Sequence, residues 1–378
     1  MAVRLVITGG GTGGHLFPGI AVADELLARY PDSEVLFIGT GREIDRRALA
    51  DKPYRQATLT GSGLKGISWA GQMVSLARVP VGLWQALLLL RKFKPHLVLG
   101  VGGYVTGPVL LAARVLGITS CIHEQNSVPG LTNRLLGRFV DRVFLSLPDQ
   151  SGYFPAAKTI LVGNPLRLEL LAAARQAEMT ESSKVSPAKE KKITNHLLVL
   201  GGSQGAHRVN QLMVEAARLL AAQGITPAIR HQTGRHDQEM ATEQYHQAGV
   251  EAEVQTFVND MAAAYLAADL VVSRAGATTL AELALFGKPA LLIPYPHAAD
   301  DHQRRNAEIM VNQGAARLLP EKDLSPRDLA GQIRELLADE EARIKMAAQA
   351  RKMARPQAAA EIIAQGLAVG GNRARGEK

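Results

Sequence analysis

The sequence has a single cysteine, Cys121, in 378 residues. That excludes an internal disulfide framework and suits a reducing compartment. Its apolar setting, "ITSCIHE", reads as a packed strand residue and not as a reactive thiol. Aromatic residues are also few: seven Tyr, eight Phe and two Trp, which is thin for a surface that stacks bases. The amino terminus has no basic flank, apolar stretch and small-residue cleavage site, so no secretory signal is expected. The longest apolar run, "VGLWQALLLL", is about half of a membrane span and contains Gln85. A cytoplasmic protein follows. Negative charge is in deficit, with 35 Asp and Glu against 43 Lys and Arg and a net charge of +8. An anionic partner is implied, and nucleic acid, acidic lipid headgroups and phosphorylated substrates all qualify.

What is present is ordinary for a soluble globular protein, at 47% hydrophobic and 21% charged residues. The length favours two domains. Short β-branched runs alternate with longer helical patterns, the signature of parallel α/β sheets. In the first half, strands are expected near 3–8, 34–39, 96–100, 119–122, 142–145 and 159–162, with helices at 17–29, 72–92, 104–116 and 130–137. A polar, lysine-rich stretch at 176–192 reads as a mobile insert near the domain junction. A second series opens at "HLLVLGGSQGAHRVNQLMVEAARLL", with further strands near 226–230, 252–256, 269–273 and 289–293. The expectation is two doubly wound domains facing across a cleft, ligands lying beyond the strand C-termini.

Glycine turns fall at those strand ends. In "VRLVITGGGTGGHLFPGIAVADEL", Gly9, Gly11 and Gly14 match G-x-G-x-x-G after a strand. A ribose-binding acid belongs at the end of the second strand, but "VLFIGT" ends in Gly39 and Thr40, which disfavours NAD. "LGVGGYVTGP" and "LGGSQGAHRVN" are two more such turns. Each is either a tight strand–helix turn or a place where backbone N–H groups meet a ligand. Ser203 and Gln204 add hydrogen-bonding groups at a helix start.

The segment "SRAGATTLAELALFGKPALLIPYPHAADDHQRRNA" carries the most chemistry. After a strand ending near Ser273, a helix begins with Gly276, Ala277, Thr278 and Thr279, whose N–H groups can meet a phosphate. Glu282, about one turn inside, suits a pair of ribose hydroxyls, or else complements the helix dipole. Gln303 and Asn306 are amides suited to sugar hydroxyls.

In order along the chain, "GGTGGHLFPGIAVA", "VGGYVTGP", "HEQNSVPGLTNR", "VGNPLR", "GGSQGA", "NDMAAAY" and "SRAGATTLAE" resemble MurG, a family of peptidoglycan glycosyltransferases. The resemblance implies a GT-B fold of two Rossmann-like doubly wound domains. Residues 1–164 would form an acceptor- and membrane-binding domain and 165–355 a UDP-GlcNAc-binding domain; 356–378 would be a terminal helix and tail packing back on the first. It implies inverting transfer of GlcNAc from UDP-GlcNAc to the 4-hydroxyl of undecaprenyl-diphospho-muramoylpentapeptide (lipid I to lipid II). Carried over by position, donor contacts are Thr12, Gly13, Gly14, Asn126, Arg167 and Ser203, with Val258 at the uracil. Ala277, Thr278, Thr279, Leu280, Ala281 and Glu282 would hold phosphate and ribose, and Gln303 the sugar. The family often has Ser where Ala275 stands and Gln where His302 stands. An imidazole cannot reproduce an amide's paired donor and acceptor, so that sugar contact is altered.

An alcohol is a poor nucleophile at neutral pH, so a positioned base helps. His15 is the first candidate, since imidazole ordinarily titrates near pH 6.5, about where a base must work. The alternative is a helix-start histidine bonded to backbone or phosphate. Glu124 is the reserve base, or else an orienting group. The Asp-x-Asp pair that binds metal in many nucleotide-sugar transferases is absent from the sequence. Helix-end N–H groups with Arg167 would take its place, so neither metal nor cofactor is expected. His123, His207, His297 and His302 lack a zinc-ligand spacing.

"GLKGISWAGQMVSLARVPVGLWQALLLLRKFKP" combines Trp69, Met73, Leu76, Val79 and Trp84 with Lys65, Arg78, Arg91, Lys92 and Lys94. It fits shallow docking on an anionic inner-membrane lipid surface, or a core-packed helix with basic ends. The docking reading puts the chain on the cytoplasmic face of the bacterial membrane, as a peripheral protein. Rival readings are another GT-B transferase, a non-catalytic nucleotide-sugar-binding subunit and an NAD-dependent oxidoreductase. Nucleic-acid binding has the charge but no recognition motif.

Overall fold

The computed structural model describes residues 2–59, 69–183, 195–202 and 205–375, with backbone alone at 69–79, 181–183 and 372–375. The chain divides into two compact units, Met1–Leu168 with Arg355–Lys378, and Glu169–Ala354. The division comes four residues beyond the boundary expected from the sequence, and Arg167 therefore belongs with the first unit.

In the first unit, β1 (Arg4–Gly9), β2 (Glu34–Gly39), β3 (Arg55–Thr58), β4 (Leu97–Gly102), β5 (Thr119–Glu124), β6 (Arg142–Leu145) and β7 (Thr159–Leu161) make one parallel sheet. Their order is β3-β2-β1-β4-β5-β6-β7. Alternate residues leave opposite faces of a strand, and here both faces are covered. Leu5, Ile7, Leu97 and Leu99 pack with Leu16, Ile20 and Ala23 of the helix Gly13–Arg29 and with Ile362 and Ile363 of the last helix, Ala358–Arg375. Val6, Val98 and Ile122 pack on the other side with Leu90, Val109 and Leu110. Cys121 is fully buried in the first of these layers, as its apolar setting implied.

In the second unit, β8 (His196–Leu200), β9 (Ala228–Gln232), β10 (Ala252–Gln255), β11 (Leu270–Ser273), β12 (Ala290–Leu292) and β13 (Ala316–Leu318) form another parallel sheet. The order is β10-β9-β8-β11-β12-β13. Leu197, Val199, Leu270 and Val272 meet Val209, Leu212 and Met213 of the helix His207–Ala221 and Ile333 and Leu336 of the helix Pro326–Ala338. The order reverses between β1 and β4 in one sheet and between β8 and β11 in the other. Those reversals open the crevices where open α/β sheets hold ligands.

Three expectations need correction. The first helix starts at Gly13, not near residue 17, although Gly13, Gly14 and Pro18 are poor helix formers; burial of Leu16, Ile20 and Ala23 overrides propensity. The stretch taken for a mobile insert begins within a helix, Leu168–Ser183, and residues 184–194 lie outside the described residues. The strands β3 and β13 had no counterpart in the sequence reading; both lie at sheet edges and their residues, RQAT and ARL, make no apolar run to detect.

Candidate functional site

At the reversal point of the first sheet, two glycine turns pack directly on each other. The ring of His15, third residue of its helix, lies over Gly102, where a Cβ would come within 2.9 Å of His15 Nδ1. Gly102 also has φ of +106°, a conformation that side chains other than hydrogen rarely accept. This glycine therefore serves the close approach of an imidazole, and the tight-turn reading holds for it.

His15 Nδ1 lies 2.9 Å from Gln125 Oε1, just past β5. The Gln125 amide nitrogen donates to Val101 O at 3.0 Å and to His123 Nδ1 at 3.1 Å. His123 Nε2 donates in turn to Gly163 O at 3.0 Å. His123 is fully buried, and burial pushes its pKa down to about 4 despite the Gly163 hydrogen bond.

Glu124, the reserve base, is 1% exposed. Its carboxylate accepts from Asn126 N at 3.0 Å, Gly130 N at 3.2 Å and Asn133 Nδ2 at 2.9 Å. Burial raises its pKa, and these three donors with nearby His15 work against that rise. A carboxylate enclosed this way orients the 125–133 turn, so of the two roles left open the orienting one fits the geometry.

A carboxylate does stand at the end of β2 after all. Asp45, 3% exposed, comes from the helix Glu43–Leu49 and accepts from Gly11 N at 2.9 Å and Thr40 N at 3.1 Å, and also from the Thr40 hydroxyl. It is engaged in bracing the loop, not in presenting acceptors to a ribose. Thr12 and Gly14 are exposed at the helix start, Thr12 being an N-cap without a side-chain capping bond. Arg167 is half-buried, its guanidinium 6.0 Å from the centre of the Phe17 ring on that same helix.

In the second unit, β11 runs into Arg274 and then the helix Ala277–Phe286. Its N-cap is Gly276, with no side-chain cap and no acidic residue in the first turn. The first turn of a helix presents N–H groups with no intrahelical acceptor, and the positive end of the helix dipole lies there. Thr278, Thr279 and Ala281 are half-buried there, whereas Ala277 and Leu280 are buried, and Leu280 N donates to Gly276 O at 3.0 Å. Glu282 is 8% exposed and accepts from Tyr265 OH at 2.9 Å, that ring being stacked on Phe286.

Around this helix start, amides and a half-buried ion pair fix the loops. Arg274 pairs with Glu321 at 2.5 Å and donates to Ile293 O and Pro294 O, both at 3.1 Å. Gln303 Oε1 accepts from Tyr295 N at 3.0 Å, and His302 Nδ1 donates to Ala299 O at 2.8 Å. Gln232 ties Val258 N, at 3.0 Å, to Gly202 O, at 3.1 Å. Val258 is itself 2% exposed, so its side chain is not presented to a ligand. Asn306 is fully buried and donates to Ala275 O at 3.3 Å, a scaffold role in place of the sugar contact expected. Asn126 is placed by Glu124. Ser203 and Gln204 lie outside the described residues.

Gln125, Asp45, Gln232 and Arg274 were not singled out from the sequence. "HEQN" contained Gln125 in plain view, but only the meeting of β4, β5 and the first helix gives it a partner.

Comparison with known proteins follows the same two units. The glycosyltransferase family 28 N-terminal domain matches residues 5–145, and the glycosyltransferase family 28 C-terminal domain matches residues 196–362. The UDP-N-acetylglucosamine--N-acetylmuramyl-(pentapeptide) pyrophosphoryl-undecaprenol N-acetylglucosamine transferase of Geotalea uraniireducens is 48% identical, over 96% of this chain and 97% of its own. The protein of the same name from Geobacter metallireducens is also 48% identical, covering 96% and 97%. Among solved structures, Acinetobacter baumannii MurG superimposes with a TM-score of 0.75 at 29% identity, covering 96% of this chain and 98% of that one. The UDP-GlcNAc 2-epimerase of Neisseria meningitidis, solved with UDP-GlcNAc, has a TM-score of 0.65 at 15% identity, covering 97% and 99%, and shares the fold alone.

Proposed function

Because the chain belongs to the MurG family within glycosyltransferase family 28, with its two Rossmann-like GT-B domains, we propose that it moves N-acetylglucosamine from UDP-GlcNAc to undecaprenyl-diphospho-N-acetylmuramoyl-pentapeptide. This is the step from lipid I to lipid II in bacterial cell-wall synthesis, and the chain is a hexosyltransferase. The observation that carries it is 48% identity along 96% of the chain to a transferase named for that donor and that acceptor.

In this reading the second unit binds the donor. The uncapped start of Ala277–Phe286 meets the diphosphate, Glu282 the ribose, the backbone at Val258 the uracil and Gln303 the sugar. Thr12, Gly13, Gly14, Asn126, Arg167 and Ser203 complete the contacts. His15 takes the proton of the acceptor 4-hydroxyl as that oxygen bonds to the anomeric carbon. The bond from that carbon to UDP breaks with inversion, and its electron pair leaves on the β-phosphate. Helix-end N–H groups and the Arg167 guanidinium offset the charge that develops there, so activity is expected to persist in a chelator.

The acceptor is lipid-linked, and the first unit supplies apolar surface to meet a membrane. Val81, Trp84 and Leu88, spaced along one face of the helix Trp69–Phe93, are exposed, Trp84 by 62%. Leu111 and Val115 on the adjoining helix Thr106–Val115, and Leu131 and Leu135 on the next, Leu131–Leu136, extend that surface. Arg91, Lys92, Arg114 and Arg134 accompany them. That combination supports peripheral docking on anionic lipid at the cytoplasmic face. Lys65 and the side chains of Trp69, Met73, Leu76, Arg78 and Val79 lie outside the described residues. Among the described residues no helix is long and apolar enough to cross a membrane.

Transfer of labelled GlcNAc to a short-chain muramoyl lipid tests the reading. His15→Ala is expected to lower kcat by about 10²–10⁴-fold with the KM for UDP-GlcNAc unchanged. Glu282→Ala should raise that KM and spare kcat. Full activity in both variants, or no transfer to the muramoyl lipid by the wild type, would overturn it.

A further inference from the structure

We propose that Gln125 is the positioning residue for His15, holding the neutral imidazole with its proton on Nδ1 and its lone pair on Nε2. The inference rests on the reading of His15 as the base and adds what makes that base competent. The argument begins at the buried end of the chain of hydrogen bonds. A carbonyl oxygen only accepts, so the 3.0 Å contact to Gly163 O puts a proton on His123 Nε2. Burial keeps His123 neutral, with a pKa of about 4, so its Nδ1 carries no proton and accepts. Gln125 Nε2 faces that nitrogen at 3.1 Å and Val101 O at 3.0 Å. Both are acceptors, and only the NH₂ end of an amide can satisfy them.

The carbonyl end of Gln125 must then face His15. Oε1 lies 2.9 Å from His15 Nδ1 and cannot donate, so Nδ1 does. A neutral imidazole has a single N–H, which leaves Nε2 as the basic atom. Gln125 is 2% exposed, so water does not compete for these bonds. Turning the amide over would set its oxygen against Val101 O and the His123 lone pair, acceptor against acceptor. It would also demand that His15 accept on Nδ1 and carry its proton on Nε2, where it could no longer act as a base. After proton transfer, Nδ1–H still donates to Oε1, so the same bond serves both states of the ring.

An amide does this without charge. A carboxylate in its place would also accept from Nδ1–H but would favour the protonated ring, raising the imidazole pKa and idling the base at neutral pH.

Three measurements on the full-length enzyme test the assignment. Nitrogen-15 spectra of histidine-labelled protein at neutral pH, with the His15 signals identified by their loss in His15→Gln, report which ring nitrogen is protonated. The wild type is expected to carry the proton on Nδ1; a proton on Nε2 would overturn the proposal without any variant having to fold. Gln125→Glu is expected to move the acid limb of the kcat–pH profile upward by about one unit or more. Gln125→Met is expected to lower kcat about tenfold to a hundredfold while the KM for UDP-GlcNAc stays within about twofold. An unmoved acid limb together with an unmoved kcat would overturn the role of Gln125. His15→Ala separates the two layers. Full activity there removes the base reading itself, whereas an inactive His15→Ala beside a fully active Gln125→Met removes only the positioning role.

Discussion

His123 and His231 are both fully buried, one in each unit, and burial pushes their pKa values down to about 4 and about 3. His231 stays neutral between two partners, Tyr245 OH at 2.9 Å on Nδ1 and Asn210 Oδ1 at 3.1 Å on Nε2. In the unfolded chain both would take up protons near pH 6.5. Below that pH the unfolded state binds more protons than the folded one, so acid favours unfolding by about 1.4 kcal/mol per pH unit for each histidine. Stability is therefore expected to be full above pH 6.5 and to fall as pH drops toward 4. Thermal scans across that range check it, and His231→Gln should show a shallower fall in Tm than the wild type. Asp45 offers a second test at this scale. Asp45→Ala leaves Gly11 N and Thr40 N without their acceptor and is expected to cost about 1–3 kcal/mol in denaturant unfolding. His15 could be placed from sequence at the start of the first helix, which it does occupy as the third residue, because a glycine turn precedes it. Asp45 could not, because a carboxylate six residues beyond a strand reveals its role only when the following helix folds it back onto the glycine loop.

The helix Ala277–Phe286 begins without a capping side chain, and the proposed donor site places the diphosphate at that start. Gly276 has φ of −70° and room around it, since the nearest atom to an added Cβ is Thr279 Oγ1 at 3.9 Å. Gly276→Asp would supply a cap, and a gain of a few tenths of a kcal/mol in stability is expected. The same carboxylate would oppose the donor diphosphate, so UDP-GlcNAc affinity by calorimetry should fall about tenfold or more. Stability and binding moving in opposite directions would be the signature; parallel movement would count against phosphate at this helix. The last helix is fixed by a different device. Added Cβ atoms at Gly366 and Gly370 would meet Leu97 Cδ2 at 2.6 Å and Thr119 Oγ1 at 3.0 Å, so this helix lies close on β4 and β5. Gly366→Leu is expected to cost about 1–3 kcal/mol through overpacking, read as a lower midpoint in denaturant. Most strands were placed from sequence to within about two residues, the three-residue β7 and β12 among them. The edge strands β3 (RQAT) and β13 (ARL) were missed because they carry no apolar run of their own and form by pairing with β2 and β12, and the helix start at Gly13 because burial there overrides propensity.

For the whole molecule, the net charge of +8 and the exposed Val81, Trp84 and Leu88 are read as one docking surface. Co-sedimentation with vesicles containing anionic phospholipid should be strong at low salt and should weaken as salt rises. Trp84→Ala with Arg91→Glu and Lys92→Glu should reduce it several-fold while transfer to a water-soluble acceptor persists. Equal binding by this variant would argue for helix packing alone. The doubly wound plan in each half was legible from the alternation of strand and helix patterns. The return of the last helix to the first unit was expected through the family resemblance alone, because nothing in "ARPQAAAEIIAQGLAVG" itself marks where those apolar residues will be buried.

That return bears on how the molecule is made. The layer holding Leu5, Leu97 and Leu99 is closed by Ile362 and Ile363, which are made only after the whole of the second unit. At roughly 5–20 residues per second, the opening third of the chain waits on the order of ten seconds or more for its covering helix. The continuous second unit has no such delay, so the half translated later is the half able to finish first. Until residues 358–363 have been made, part of the apolar face of the nascent amino-terminal sheet is covered only by the helix Gly13–Arg29, and a chain truncated before residue 358 would never bury the rest.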